Sequence, residues 1–416
     1  VVIKRPSAST QIIIALILGV SWSLLTKDHL ALSQWSLHWI APLGKLFIKL
    51  LYFVAIPLIF SSLITGMGSL QSISELRILG RNTLLIFLTT GAIATSLGVG
   101  LAYIIDPGKN LSTTTQSAEL QDKVNALQQS ASESQTISEH LFQLFPDNFA
   151  YSFTDNKQLL QVVLIAFILG IALTKLQPSL KALILQGIDA IQQWFTVLIH
   201  MIMTLAPIGV FGLTACLTIN TQTLISLTEY IVTVLLGLAI LLFVVYPLFF
   251  TTLGKTSYLK FFKESKSVLL MAFSTSSSNA TLPLTLDLVK NKFKVPEHIS
   301  NFVVSLGTTV NMDGTALYQS VAAYFIAQSL GIELSFIQML TIVVTAVISA
   351  IGAAGVPGAG MLTLIIILQS VGIPVEGIVL ILAPDRLLDM FRTVINVAGD
   401  ISTSLCVQGL NTSKKS

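Results

Sequence analysis

Asp385, Asp389, Arg392, Asn396 and Asp400 follow one another at spacings of 4, 3, 4 and 4 in the stretch DRLLDMFRTVINVAGD, residues 385–400. On an α-helix those intervals stack five polar side chains on one face. Arg392 brings a planar fork that grips a carboxylate through two parallel hydrogen bonds and stays charged when buried. Asp389, one turn back, suits an ammonium group. Together the two complement a zwitterion that carries an additional carboxylate. The same residues also allow an internal Asp389–Arg392 pair at i, i+3, which would brace the helix and bind nothing. Asp385 and Arg386, nearer the helix entrance, fit a plain structural pair.

A second polar group interrupts SLGTTVNMDGTALYQ, residues 305–319. Asn311, Asp313 and Thr315 lie inside an otherwise apolar helical pattern, with Gly307 and Gly314 as weak points of the ladder. A carboxylate at membrane depth is costly unless it is paired or bound to a cation. No basic residue lies within a turn of Asp313. Carboxylate, amide and freed carbonyl oxygens are hard ligands, which suit Na⁺ far better than they suit soft metals.

The elements that must hold these groups are membrane helices. Of 416 residues, 53% are hydrophobic and only 10% charged, against roughly 25% charged in a soluble domain. Mean hydropathy is +0.81. Apolar runs at 10–25, 42–67, 79–105, 158–176, 190–218 and 224–253 approach or exceed the roughly 20 residues that cross a bilayer core. Lysine and arginine concentrate in alternate connections: Lys4 and Arg5, Arg77 and Arg81, Lys175 and Lys181, seven lysines between Lys255 and Lys294, and Lys414 with Lys415. The positive-inside rule then places both termini in the cytoplasm and requires an even number of crossings. The Ser-, Thr- and Gln-rich stretch 106–157 is too polar for lipid and reads as an extracytoplasmic loop.

Two segments do not behave as spans. Short apolar pieces at 267–275 and 282–289 flank SSSNA, and lysines border both sides, so this segment enters and leaves from the cytoplasm. Residues 335–373 carry GAAGVPGAG (352–360) at their middle and almost no basic flank, which suits entry from outside. Both read as re-entrant helical hairpins. Their tips free backbone groups that lipid cannot satisfy, so they must be buried in protein or line a cavity. Secondary transporters hold ions and substrates at such broken helices, and the glycine-rich tip is placed to gate the site.

Other chemistries fit less well. No phosphate-binding loop of the GxxxxGK[ST] type occurs, and the five histidines form no ligand cluster. Cys216 and Cys406 share no short spacing and read as inert buried thiols. The Ser-rich tip has no neighbouring base in sequence, which argues against an enzyme. A channel would not need an Arg–Asp pair spaced for one small molecule.

The motifs SSSNATLP, NMDGTALYQ, GVPGAG and DMFRTVINVAGD, in that order and spacing, resemble those of the dicarboxylate/amino acid:cation symporters, over nearly the whole chain. The resemblance implies an all-α polytopic membrane protein: eight transmembrane helices plus two re-entrant helical hairpins, assembled as a homotrimer in the cytoplasmic (inner) membrane and working as an elevator. Residues 1–78 would be scaffold helices 1 and 2, 79–105 helix 3 of the transport domain, and 106–157 the polar loop. Residues 158–253 would hold helices 4–6, the first two in the scaffold and the sixth in the transport domain. Residues 254–416 would be the transport core: hairpin 1, helix 7, hairpin 2 and helix 8.

By the same resemblance the substrate, an acidic amino acid, would meet Ser278, Thr315, Val356, Gly360, Asp389, Arg392, Thr393 and Asn396. Sodium would bind at Asp400 with carbonyls of Gly307, Asn311 and Asn396. A second ion would use Thr309 with carbonyls of Ala350, Ile351 and Ala353, and a third Thr89, Thr90, Asn311 and Asp313. Two positions depart from the pattern: Ser276 stands where archaeal members carry arginine, and Asn279 where many relatives carry serine. Members for neutral amino acids tend to lose the arginine, and members for dicarboxylates the aspartate, of the eighth helix. This chain keeps both. The alternative is a proton-coupled dicarboxylate or neutral amino acid carrier of the same fold.

Overall fold

The computed structural model describes residues 8–26, 29–68, 74–109, 111, 148–154, 159–216, 221–351 and 358–412. Among the described residues there are helices joined by turns and short irregular links, and no strand. The first half comprises α1 (Ala8–Thr26), α2 (Leu30–Trp39), α3 (Ala41–Gly68), α4 (Ser74–Ile105), α5 (Leu159–Leu173), α6 (Pro178–Thr204), α7 (Ala206–Thr214), α8 (Thr221–Ile240) and α9 (Tyr246–Thr252). The second half comprises α10 (Tyr258–Thr275), α11 (Ser278–Asp287), α12 (Glu297–Val310), α13 (Asp313–Ser329), α14 (Phe336–Ile351), α15 (Ala359–Ser370) and α16 (Leu382–Thr412). Among the described residues, four stretches are long and apolar enough to cross a membrane: Ala31–Thr65, Leu79–Ile105, Pro178–Thr204 and Thr223–Thr252. Most of the polar stretch 106–157 lies outside the described residues, as does the hairpin tip 352–357.

Local chemistry sets several boundaries that the apolar runs did not. The expected span 190–218 is instead a helix that starts at Pro178 and breaks at Leu205, where α7 begins. Pro207 supplies no backbone N–H and its ring crowds the carbonyl four residues back. Between α8 and α9 the chain stays helical but widens to a π-turn over Leu241–Val245. The first hairpin helix is twice as long as its apolar piece. Phe261, Ser265, Val268 and Ala272 face the bundle, while Lys260, Lys263 and Lys266 stay exposed, so the charged half is amphipathic rather than outside the helix.

Hairpin 1 turns at Ser276, which adopts φ +51° and caps α10. The next residue, Ser277, accepts from the N–H of Ala280 at 3.2 Å and so opens α11. Ser276, Ser277 and Ser278 are all buried. The run of small hydroxyl residues thus serves as both C-cap and N-cap within three positions.

The helix expected across 305–319 is two helices. α12 ends at Val310, Asn311 and Met312 leave helical geometry (ψ +81° and +46°), and α13 restarts at Asp313. The break falls between the two glycines, not at either. Gly307 and Gly314 are places of close approach. A Cβ on Gly307 would overlap the Asp400 carboxylate, and one on Gly314 would sit 2.6 Å from the Arg392 carbonyl oxygen.

The helices form two contact groups. In one, α3 packs on α2, α5, α6 and α7, and α1 on α7. In the other, α13 is the axis, buried on every side from Asp313 to Ala327, with α4, α8, α14, α15 and α16 around it. The long α16 also packs on α9, α10, α11 and α12. Phe273 of hairpin 1 meets Phe391 of α16 edge-on, with ring centroids 5.1 Å apart. At the far end of α13, Gln328 donates to Asp106 at 2.6 Å and accepts from the N–H of Gly108 at 3.1 Å. Cys406 is fully buried in this group, and Cys216 is half-buried in the other.

Candidate functional site

The polar stripe of α16 faces inward. Asp385, Asp389, Arg392, Thr393, Asn396 and Asp400 are all buried, Arg392 and Asp400 to 1% exposure. The largest fully buried side chain among the described residues is therefore a cation. Arg392 Nη2 donates to Asp385 Oδ1 and Asp389 Oδ1, both at 2.9 Å. Its guanidinium lies over the Tyr318 ring, 3.8 Å from the centroid. Its remaining donors, Nε and Nη1, are buried with no partner among the described residues.

The expected Asp385–Arg386 pair does not form. Neighbouring residues on a helix point about 100° apart and cannot face each other. The pairs cross instead: Asp385 reaches Arg392 a full two turns on, and Arg386 Nη1 lies 3.3 Å from Asp389 Oδ2. The internal Asp389–Arg392 pair is present, but it engages one guanidinium nitrogen and leaves two without a partner among the described residues.

Hairpin 2 closes on one of these donors, Nη1. Gly360 comes so near that a Cβ there would sit 2.9 Å from Arg392 Nη1 and 3.1 Å from Thr315 Cγ2. The carbonyl of Gly360 accepts from Gln319 Nε2 at 2.9 Å, and Gln319 also donates to Thr363. The N–H of Gly358 donates to Asp389 Oδ2 at 3.3 Å. Asn396 ties α16 to the start of α13. Its Oδ1 accepts from the N–H of Gly314 at 2.9 Å, and its Nδ2 donates to Thr315 Oγ1 at 3.2 Å. Thr393 donates back to the Asp389 carbonyl at 2.8 Å. Ser278 is buried at the first position of α11, which packs on α16. Val356 lies outside the described residues.

A second pair of buried carboxylates lies at the α12–α13 break. Asp400 Oδ1 accepts from Asn311 Nδ2 at 2.9 Å, and the amide oxygen of Asn311 is buried with no donor among the described residues. Asp313 Oδ2 accepts from the Tyr246 hydroxyl at 3.0 Å, and Thr90 is buried with its hydroxyl on the Phe87 carbonyl at 3.2 Å. Neither Asp313 nor Asp400 forms an ion pair among the described residues. Thr89 faces the other way, exposed, with its hydroxyl on the Leu85 carbonyl. Thr309 is half-buried and donates to the Leu306 carbonyl at 3.1 Å. Ala350 is buried beside Met312 and Ala316. Ala353 lies outside the described residues, as does the side chain of Ile351.

Four contributors escaped the sequence reading. Asp385 was on the stripe, and its spacing of seven from Arg392 was the available signal. Tyr318 and Gln319 stand three and four residues beyond Thr315, on its face of α13. Tyr246 carried no local signal, since it meets Asp313 only through the tertiary fold.

The fit around Gly307 makes one test. Gly307→Ala forces α12 and α16 apart where Asn311 and Asp400 meet, and overpacking of this kind costs about 1–3 kcal/mol. The expected result is a lowered midpoint in thermal unfolding of the detergent-purified protein, with added Na⁺ restoring less stability than it does for wild type.

Long apolar helices, broken at polar centres and gathered around buried charges of both signs, are the architecture of secondary membrane transporters. Residues 8–410 match the model of the sodium:dicarboxylate symporter family, and the chain belongs to that family. It is a multi-pass membrane protein and a secondary transporter. It is similar to neutral amino acid transporter B(0) of Mus musculus, 37% identical over 400 residues, covering 86% of this chain and 72% of the relative. It is also similar to excitatory amino acid transporter 3 of Oryctolagus cuniculus, 31% identical, covering 93% and 82%. A third relative is the proton/sodium-glutamate symport protein of Bacillus subtilis, 31% identical, covering 94% and 90%.

Proposed function

We propose that this protein carries an acidic amino acid, aspartate or glutamate, across the cytoplasmic membrane together with Na⁺. One observation carries the reading: Arg392 is buried with two donors that have no partner among the described residues, and one of them, Nη1, lies where Gly360 of hairpin 2 approaches. A buried guanidinium with unmet donors is costly, and a distal carboxylate that accepts from Nη1 satisfies one of them with a charge-assisted bond. Asp389 beside it receives the ammonium. Thr315, Thr393, Asn396, Ser278 and the backbone of Val356 and Gly360 complete the substrate shell.

Sodium enters as a co-substrate. Asp400 and the unmet oxygen of Asn311 form one centre with carbonyls of Gly307 and Asn396. Asp313, Thr90 and Asn311 form another, to which Thr89 contributes only if its hydroxyl leaves the Leu85 carbonyl. Thr309 with carbonyls of Ala350, Ile351 and Ala353 forms a third. The two contact groups correspond to a scaffold of α1–α3 and α5–α7 and a transport domain of α4 and α8–α16. Eight crossings and two hairpins, cytoplasmic termini, a homotrimer and elevator motion complete the proposal.

A second reading, neutral amino acids, draws on the 37% identity to a neutral amino acid transporter. It leaves the Arg392 donors unmet in the bound state. The test is competition against labelled aspartate binding in Na⁺ medium. Glutamate or unlabelled aspartate displacing the label at concentrations where serine does not supports the acidic reading, and serine displacing it equally well favours the neutral one.

A further inference from the structure

Leu259, Lys263, Lys266 and Leu270 follow one another on α10 at spacings of 4, 3 and 4, which makes them one stripe of the helix. The stripe lies opposite the buried row Phe261, Ser265, Val268 and Ala272. All four of its residues are exposed, Leu259 to 79% and Leu270 to 56%. Neither the substrate shell nor the sodium centres use it. Lys260 sits with its ammonium 5.8 Å from the centroid of the Phe293 ring, which the exposed Lys292 and Lys294 flank in sequence. From Lys255 to Glu297 the chain carries seven lysines and three acids. Two of those acids are engaged, Glu297 by Lys290 at 2.6 Å and Asp287 by the Asn291 amide at 2.6 Å. The third, Glu264, is half-buried and off the stripe. None of Lys260, Lys263, Lys266, Lys292 and Lys294 forms an ion pair among the described residues.

Depth adds a second observation. Lys266 lies nine residues before Thr275, the last residue of α10, or about 14 Å along the helix. Half the hydrocarbon core is about 15 Å. A tip in mid-membrane therefore sets Lys266 at the edge of the core, with Lys263 and Lys260 successively further out among the phosphates. Leucines at both ends of the lysine pair make the face amphipathic along its length, the pattern of a helix surface at the headgroup–acyl boundary. Tyr258, 41% exposed, packs on Phe262 with centroids 4.7 Å apart, and Phe262 stacks on the half-exposed Phe243 at 5.4 Å. Tyrosine is enriched at membrane interfaces.

Resting on the cytoplasmic entry of hairpin 1, we propose that this face of α10 is a docking surface for the headgroups of anionic phospholipids. The lysine stems lie along the acyl boundary while their ammonium groups reach the phosphates. A zwitterionic headgroup carries its own cation beside the phosphate, so net-negative lipid is preferred. An acidic polypeptide would match the lysines but not their depth.

The test is the thermal unfolding midpoint of the purified full-length protein in uncharged detergent, as dioleoyl phosphatidylglycerol or dioleoyl phosphatidylcholine is titrated into the micelles. A ligand that binds the folded state raises the midpoint. Phosphatidylglycerol should raise it, phosphatidylcholine should not, and high salt should weaken the effect. The combined variant Lys260→Gln, Lys263→Gln, Lys266→Gln should need about 100-fold more phosphatidylglycerol for the half-maximal shift, at about fivefold for each lysine near a headgroup. Lys263→Gln alone should need about fivefold more, which serves should the combined variant not fold. A control with Lys4→Gln, Lys414→Gln and Lys415→Gln removes the same charge elsewhere and should titrate as wild type. Wild-type titration of the combined variant, an equal loss in the control, or an equal response to phosphatidylcholine overturns the proposal. So does a wild type that ignores phosphatidylglycerol but is stabilised by polyglutamate, which would assign the face to an acidic protein partner. Labelling of Leu259→Cys by an impermeant thiol reagent outside intact cells, above the wild-type background, would instead remove the cytoplasmic entry of hairpin 1 on which the proposal rests.

Discussion

Arg392→Ala is expected to lower aspartate affinity by ~30- to 4,000-fold, while serine loses far less. Truncating one partner of a buried, hydrogen-bonded charge pair costs about 2–5 kcal/mol, and every 1.4 kcal/mol or so is tenfold in affinity. The substitution also strands a carboxylate of the protein itself. Asp385 loses its 2.9 Å contact with Arg392, whereas Asp389 keeps Arg386 and the N–H of Gly358. Some folding stability goes with it. Serine is therefore the internal control, because a variant that still binds serine is folded. Asp389→Ala should behave differently and weaken acidic and neutral amino acids alike, since all carry the ammonium. Calorimetric titration of the purified variants separates the patterns. Equal losses for aspartate and serine in Arg392→Ala would remove the assignment of Arg392 to the distal carboxylate.

Asp400→Asn should shift the sodium dependence of aspartate binding to much higher Na⁺. The carboxylate is 1% exposed and has an amide donor, Asn311, but no ion-pair partner among the described residues. A buried anion so placed is stable chiefly as a cation ligand. The amide replacement is isosteric, so the crowded approach to Gly307 is preserved while the charge goes. Losing a charged ligand should raise the Na⁺ concentration for half-maximal binding by ~10-fold or more, as for a charge-assisted contact of about 1.5–3 kcal/mol. Aspartate affinity at fixed, sub-saturating Na⁺ should fall with it, because binding of the two is linked and the coupling is reciprocal. The measurement is a Na⁺ titration of aspartate binding with choline keeping ionic strength constant. A wild-type Na⁺ curve for the variant would contradict the centre at Asp400.

Much of this site was legible because polar residues are rare in this chain. The α16 stripe stood out by period alone, and the structure buries it as a unit. Hairpin 1 was legible from SSSNA, since three small hydroxyl residues end one helix and start the next. What failed to show was anything set by partners distant in sequence. The glycines near Asn311 looked like points of helix weakness, yet they are thin walls where Asp400 and the Arg392 backbone press in. Asp385 and Arg386 looked like a pair because they are adjacent, but helix geometry sends them to different partners. Tyr246 meets Asp313 across 67 residues of sequence, a contact no local period announces. The break at Leu205 was written in Pro207 and hidden by the apolar run around it.

Sodium-coupled carriage of an acidic amino acid is tested most directly by accumulation of labelled aspartate in sealed proteoliposomes under an inward Na⁺ gradient. Aspartate should rise inside above the external concentration, collapse when the gradient is dissipated, and fail to accumulate when choline replaces Na⁺. Equal uptake in choline, or uptake that stops at equilibrium with the gradient intact, would contradict it.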